Sequence, residues 1–165
     1  MRRLLLKNLV HGPLTEVAPA IDDAALADDS GLFVDALQGA PGVHSAYYAG
    51  RGGSREERDA RNNEKLLASV GNERSAHYAC VMALVRSAAD PRPLVAEGIW
   101  HGEIARAPRG ADGFGYDPLF LLPERGLTAA ELPADEKNRI SHRGMALARL
   151  LAALRTRSRA ARAGL

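Results

Sequence analysis

The stretch "SAHYACVMALV", residues 75–85, decides how the rest of the chain is arranged. Side chains alternate between the two faces of a strand. One alternating set here is Ala76, Tyr78, Cys80, Met82 and Leu84; the other contains Ala79, Val81, Ala83 and Val85. Apolar residues on both faces predict a central strand covered from both sides. Cys80, inside that run, reads as a buried thiol rather than a nucleophile.

Downstream, "PLVAEGIWHGEIARA" (93–107) predicts a strand pair or a bulged strand, broken at Gly98 and Gly102. Upstream, "LADDSGLFVDAL" (26–37) predicts extended chain, a polar turn, and a strand from Gly31 to about Ala36. The turn-rich "QGAPGVHSAYYAG" (38–50) reads as a loop. Ser54 and Glu57 have the spacing of a capping box opening a helix through "REERDARNNEKLLASV" (55–70). "PRGADGFGYDPLFLLPE" (108–124) predicts a loop and then a short strand, Pro118 to Leu122. Thr128 and Glu131 repeat the capping-box spacing before a short helical turn. Ser141 caps a last helix in which Leu147, Leu150, Leu151 and Leu154 share a stripe. Near the start, Leu4, Leu5, Leu6, Leu9 and Val10 suit a short helix ended at Gly12-Pro13. Strands and helices alternate, so the expected class is α/β. Several connections look too short for crossovers, so the expected sheet is mixed, with flanking helices.

The bulk numbers narrow the function classes. A chain of 165 residues, 46% hydrophobic and 25% charged, suits a single domain spanning 1–165. Aromatics make up only 5%, so aliphatic side chains are expected to carry the core. A formal charge of +2 is too small to indicate a stable nucleic-acid partner. Much of the basic excess sits in "LRTRSRAARAGL", read as a helix end fraying into a basic tail over 156–165. A single cysteine excludes an internal disulfide and fits a reducing compartment. Lys7 and Asn8 interrupt the leucines of "MRRLLLKNLV", which is too short and polar for a signal peptide or membrane span, so a cytoplasmic protein is expected. No zinc-like Cys/His spacing, P-loop or dinucleotide fingerprint occurs.

Polar clusters beside the apolar runs are where chemistry can sit. Asp28-Asp29-Ser30-Gly31 is either turn punctuation or a carboxylate site; in extended chain the two carboxylates point to opposite faces and cannot serve one site equally. "GFGYDP" (113–118) combines two glycines with the flat faces of Phe114 and Tyr116, and its Asp117 precedes a proline. "DEKNRISHRG" (135–144) concentrates Lys137, Arg139, His142 and Arg143 at the start of the last helix, where cations oppose the dipole. His44 and Ser45 lack the context of a Ser-His-Asp constellation.

In this order, "ADDSGL", "GAPGVHSAYYAG", "NNEKLL", "EGIWHGEI", "GFGYDPLF", "AAEL" and "EKNRISHRG" resemble the inosine triphosphate pyrophosphatase family, from about Ala27 to Leu154. The resemblance implies a two-lobed α/β fold with the substrate cleft between the lobes, usually a homodimer. It implies Mg²⁺-dependent hydrolysis of ITP, dITP or XTP between the α- and β-phosphates. Asp29 would be the metal-linked proton acceptor and Ser30 a substrate contact. Phe114, Gly115, Tyr116 and Asp117 would line the base pocket with Lys137, His142 and Arg143. The residue types suit these roles: Mg²⁺ takes one or two carboxylates, and a nearby carboxylate can deprotonate water. An aromatic face stacks a base for about 1–3 kcal/mol. A donor such as Arg143 aimed at O6 would accept hypoxanthine or xanthine and oppose the amino group of adenine.

One departure stands at the N-terminus. The family's Ser/Thr-x-Asn-x-x-Lys motif, which holds the triphosphate, and its Glu-Asn-Ala-x-x-Lys helix do not occur before Ala27, leaving 1–25 atypical. The alternative expectation is therefore a catalytically impaired nucleotide-binding or dimerisation module of the same family.

Overall fold

The computed structural model describes residues 24–87 and 90–162, so the expected helix over Leu4–Val10 and most of the atypical segment lie outside the described residues. The strands are β1 (Ala25–Val34), β2 (Ser75–Val85), β3 (Leu94–Ile104), β4 (Phe120–Leu122) and β5 (Leu127–Thr128). The helices are α1 (Arg55–Ser69), α2 (Ala134–Ile140) and α3 (His142–Arg162). The five strands form one sheet in the order β1-β2-β3-β4-β5. Thus β2 has a strand on each side, and Ala79, Cys80, Val81 and Ala83 are fully buried, as apolar residues on both faces require.

Among the described residues the five-stranded sheet is antiparallel, where the sequence leads to the expectation of a mixed one. Glu103 pairs with Leu121 and Ile104 with Phe120 across β3 and β4, and Leu121 pairs with Thr128 across β4 and β5. The connection over 86–93 is too short for a parallel crossover, which needs about a dozen residues or more.

Three local expectations are corrected. Asp28, Asp29 and Ser30 lie inside β1, not in a turn. Residue preference in strands spans only about 1 kcal/mol, so pairing with a neighbouring strand overrides the turn character of Asp, Ser and Gly. β3 runs unbroken through Gly98 and Gly102 because these glycines serve close approach rather than interruption. A Cβ on Gly98 would strike the His142 carbonyl and stand 2.7 Å from the Ala146 nitrogen; on Gly102 it would stand 2.5 Å from the Leu121 carbonyl oxygen. The loop over 38–50 contains a 3-10 segment at Gly42–Tyr47, preceded by another at Asp35–Leu37.

The helix starts follow local chemistry more closely. Ser54 Oγ accepts from the Glu57 N–H at 3.2 Å and Glu57 Oε2 from the Ser54 N–H at 2.8 Å, completing the capping box of α1. Ser141 Oγ accepts from the Gly144 N–H at 3.2 Å at the start of α3. The second capping-box spacing forms only in half. Glu131 Oε2 accepts the Thr128 N–H at 2.7 Å, but the Thr128 hydroxyl donates to the Arg109 carbonyl at 2.8 Å, and no helix follows until Ala134. The leucine stripe of α3 is also corrected. His142, Ala146 and Leu150 are the buried line, while Leu147, Leu151 and Leu154 lie one position round and stay 36–43% exposed. The helix continues to Arg162, where Arg157 Nη1 donates to the Arg92 carbonyl at 2.8 Å.

The chain forms two compact units. Among the described residues, one takes 24–30, 80–87, 90–99 and 141–162; the other takes Gly31–Ala79 and Trp100–Ile140. The first packs Ala146 and Leu150 against Cys80, Met82 and Ala96, an aliphatic core as expected. The second gathers aromatics: the Phe120 ring lies 4.6 Å from Tyr78 and 5.1 Å from Trp100. Among the described residues, no helix is long and apolar enough to cross a membrane.

Gly98→Ala should lower unfolding free energy by about 2–3 kcal/mol in urea titration, because carbonyl and helix backbone cannot give way. Gly71→Ala, with nothing within 4 Å of its added Cβ, should leave the midpoint unchanged. Burial, and then the charge of Asp28, push the Cys80 thiol up to about 12. A disulfide-exchange reagent should therefore label Cys80 rapidly in denaturant and hardly at all in the native protein at neutral pH.

Candidate active site

In the second unit, the loop over 113–118 is built around one buried carboxylate. Asp117 is 4% exposed, and its Oδ2 accepts the Phe114 N–H at 2.8 Å and the Lys137 ammonium at 2.5 Å. A buried charge is tolerable only when paired and hydrogen-bonded, and both conditions are met here. Gly113 (φ +82°) is required on two counts: its backbone is left-handed, and a Cβ would strike Asp117 and come within 2.7 Å of Lys137 Nζ.

The loop's two aromatics are held differently. Tyr116 is 4% exposed and its hydroxyl donates to the Ser45 carbonyl at 2.8 Å; burial pushes its acidity down, keeping it a neutral donor. Phe114 is 49% exposed, with the Arg55 guanidinium 4.7 Å and the Lys137 ammonium 5.4 Å from its ring centroid. An open aromatic face beside cationic donors can stack a planar, electron-rich ring and bond acceptors at its edge.

Between these aromatics, Gly115 donates its N–H to Asp59 Oδ2 at 2.8 Å, and its carbonyl accepts from Asn63 Nδ2 at 2.9 Å. Sequence reasoning assigned no role to Arg55, Asp59 or Asn63. Their i, i+4, i+8 spacing in "REERDARNN" was the available signal, masked by a charged face that reads as solvated.

In the first unit, Asp29 and Ser30 are half-buried on β1. Strand alternation turns Asp28 to the other face, where its Oδ2 accepts from Arg143 Nε at 3.0 Å. Both partners of that pair are about two-fifths exposed, so it is worth roughly 0–1 kcal/mol. His142 is 5% exposed at the start of α3, its carbonyl against Gly98. The cations expected at one helix start thus belong to two helices, Lys137 and Arg139 in α2 and His142 and Arg143 in α3. A single sequence run hid the break at Ser141.

Among the described residues, no group of three or more acidic, histidine or cysteine side chains converges as a metal cage. Asp29 is a hard oxygen donor of the kind Mg²⁺ accepts when phosphates and water complete its shell.

The Ham1 family model matches residues 9–153. The chain is 60% identical over 134 residues to a dITP/XTP pyrophosphatase of Aromatoleum aromaticum, covering 80% of this chain and 66% of that one. It is 59% identical over 132 residues to a dITP/XTP pyrophosphatase of Burkholderia pseudomallei, covering 79% and 63%. The chain thus spans somewhat less than two thirds of the length of these curated relatives. Among solved structures, a HAM1 protein from Coxiella burnetii superposes with a TM-score of 0.79 at 48% identity, covering 87% of this chain and 73% of that one. The Staphylococcus aureus Ham1 protein follows at 0.76 and 42%, covering 85% and 71%. With its ordered motifs, its sheet and a family model matched along most of its length, this chain belongs to the Ham1 family.

Proposed function

We propose that the chain hydrolyses non-standard purine nucleoside triphosphates (ITP, dITP and XTP) to the monophosphate and pyrophosphate. The observation that carries this reading is the Asp117 carboxylate, buried beneath a half-exposed Phe114 and holding Lys137 beside that ring. The names borne by the relatives, dITP/XTP pyrophosphatases, support the same substrate class.

The purine stacks on Phe114, and Lys137, which has donors only, meets the 6-oxo group of hypoxanthine or xanthine. Adenine carries an amino donor there, and two opposed buried donors cost about 1–3 kcal/mol. Gly115, Tyr116 and Asp117 shape the pocket, with His142 and Arg143 as further substrate contacts. Ser30 contacts the substrate, and Asp29 orients a water and takes its proton as the water oxygen bonds to the α-phosphorus. The α–β bridging bond then breaks, and pyrophosphate leaves. Asp29 would hold Mg²⁺, which when bound neutralises charge gathered at the phosphates. The whole chain, 1–165, acts as one nucleotide pyrophosphatase domain in this reading. It works in the cytoplasm as a homodimer, a compartment consistent with a lone reduced Cys80.

The deciding experiment is pyrophosphate release from dITP with Mg²⁺. Asp29→Asn should lower kcat by about a hundredfold or more with KM little changed, since proton acceptance contributes about 10²–10⁴-fold. Lys137→Met should narrow the preference for dITP over dATP by roughly tenfold. A wild-type chain that binds inosine monophosphate but releases no pyrophosphate sinks the enzymatic reading and leaves a nucleotide-binding module.

A further inference from the structure

Side chains at i, i+4 and i+8 fall along one line of a helix. On α1 that line is Arg55, Asp59 and Asn63, and all three meet the loop at Phe114 and Gly115. Both backbone polar groups of Gly115 are taken by side chains 56 and 52 residues away in sequence. Gly115 has a φ of +62°, outside helix and strand geometry, so no backbone ladder is available to hold it. The Asn63 amide keeps its Nδ2 on the Gly115 carbonyl although its Oδ1 is buried with no hydrogen-bond partner. Turning the amide over would set two acceptors against each other.

The aromatic neighbours show what this clamp is for. Tyr116 is fixed by burial and by the Ser45 carbonyl, which Asn62 of α1 also contacts at 3.2 Å. Phe114 is 49% exposed, with the Arg55 guanidinium and the Lys137 ammonium against its ring. The backbone around it is held by the Asp117 contact to its own N–H and by the two α1 side chains on the next residue. Arg55, 4.0 Å from Asp59, lies over the same ring.

We propose that Asp59 and Asn63 are positioning residues for purine recognition, presetting Phe114 through the Gly115 peptide. The proposal rests on the reading of Phe114–Asp117 as the base pocket. Neither side chain touches the reacting atoms; each removes conformations that the substrate would otherwise have to select against. Their loss is felt in KM and in base discrimination, and little in the chemical step.

The test is steady-state hydrolysis of dITP and dATP by Asp59→Ala and Asn63→Ala, with Asp59→Asn, which keeps an acceptor oxygen, as the conservative variant. Each alanine variant should raise KM for dITP about tenfold with kcat altered less than about twofold, the size expected for one lost hydrogen bond. The preference for dITP over dATP should narrow, and Asp59→Asn should recover most of the loss. Amide hydrogen exchange at residues 114–117 should accelerate in Asp59→Ala while the α1 interior stays protected. Thermal melts identify a variant that has merely unfolded; the Asp59→Asn comparison and the exchange pattern then decide. A loss carried entirely by kcat, or unchanged exchange at 114–117, overturns the proposal. Wild-type protein that binds no inosine nucleotide defeats the base-pocket reading and the proposal together. Wild-type turnover with indifferent alanine variants defeats the positioning role alone.

Discussion

A strand buried along its length needs cover along its length, and much of the fold answers that constraint on β2. At Cys80 and Met82, in the first unit, the cover is α3, through Ala146 and Leu150. At Tyr78, in the second unit and in the same alternating set of side chains, it is aromatic, from Phe120 with Trp100 nearby. Each cover sets its own requirement on the neighbouring strand. Gly98 has no side chain because the α3 backbone arrives there, and Gly102 has none because β4 and Phe120 do. At this close packing one methyl group at either glycine has nowhere to go, so the glycines are as much part of the core as the leucines.

The polar groups divide by burial. Asp117 is out of water and its partners are close, so removing Lys137 leaves an uncompensated charge that costs several times more than the pair contributes. Asp28 and Arg143 share a similar bond in solvent, where water competes and the pair contributes little. A carboxylate that must shape a pocket is better served by the first situation. In the loop over 113–118, Tyr116 and Asp117 are buried, while Gly113 and Phe114 are exposed. Beside the Phe114 ring, polar side chains of α1 hold the Gly115 peptide through both of its backbone groups.

Much of this was visible in residue order. The two-faced apolarity of 75–85, the capping box at Ser54, the cap at Ser141, and the ordered family motifs all depend on neighbours within a few residues, and sequence displays such neighbours directly. Failures came where a distant element decided. Asp28 to Ser30 looked like a turn until a neighbouring strand extended them. Gly98 and Gly102 looked like breaks until α3 and β4 required their bareness. The α3 leucines looked like a core stripe, yet the buried line of the helix runs through His142, Ala146 and Leu150. Thr128 looked like a cap until the Arg109 carbonyl claimed its hydroxyl.

By itself the sequence determined the class, the family, the central strand and the residues around which a nucleotide site can form. These follow from periodicity and from short motifs whose spacing carries chemistry. Tertiary structure alone decided which carboxylate is buried, which cation belongs to which helix, and that α1 grips Gly115 from more than fifty residues away. Burial and long-range hydrogen bonds are properties of neighbours in space, and a linear order does not contain them.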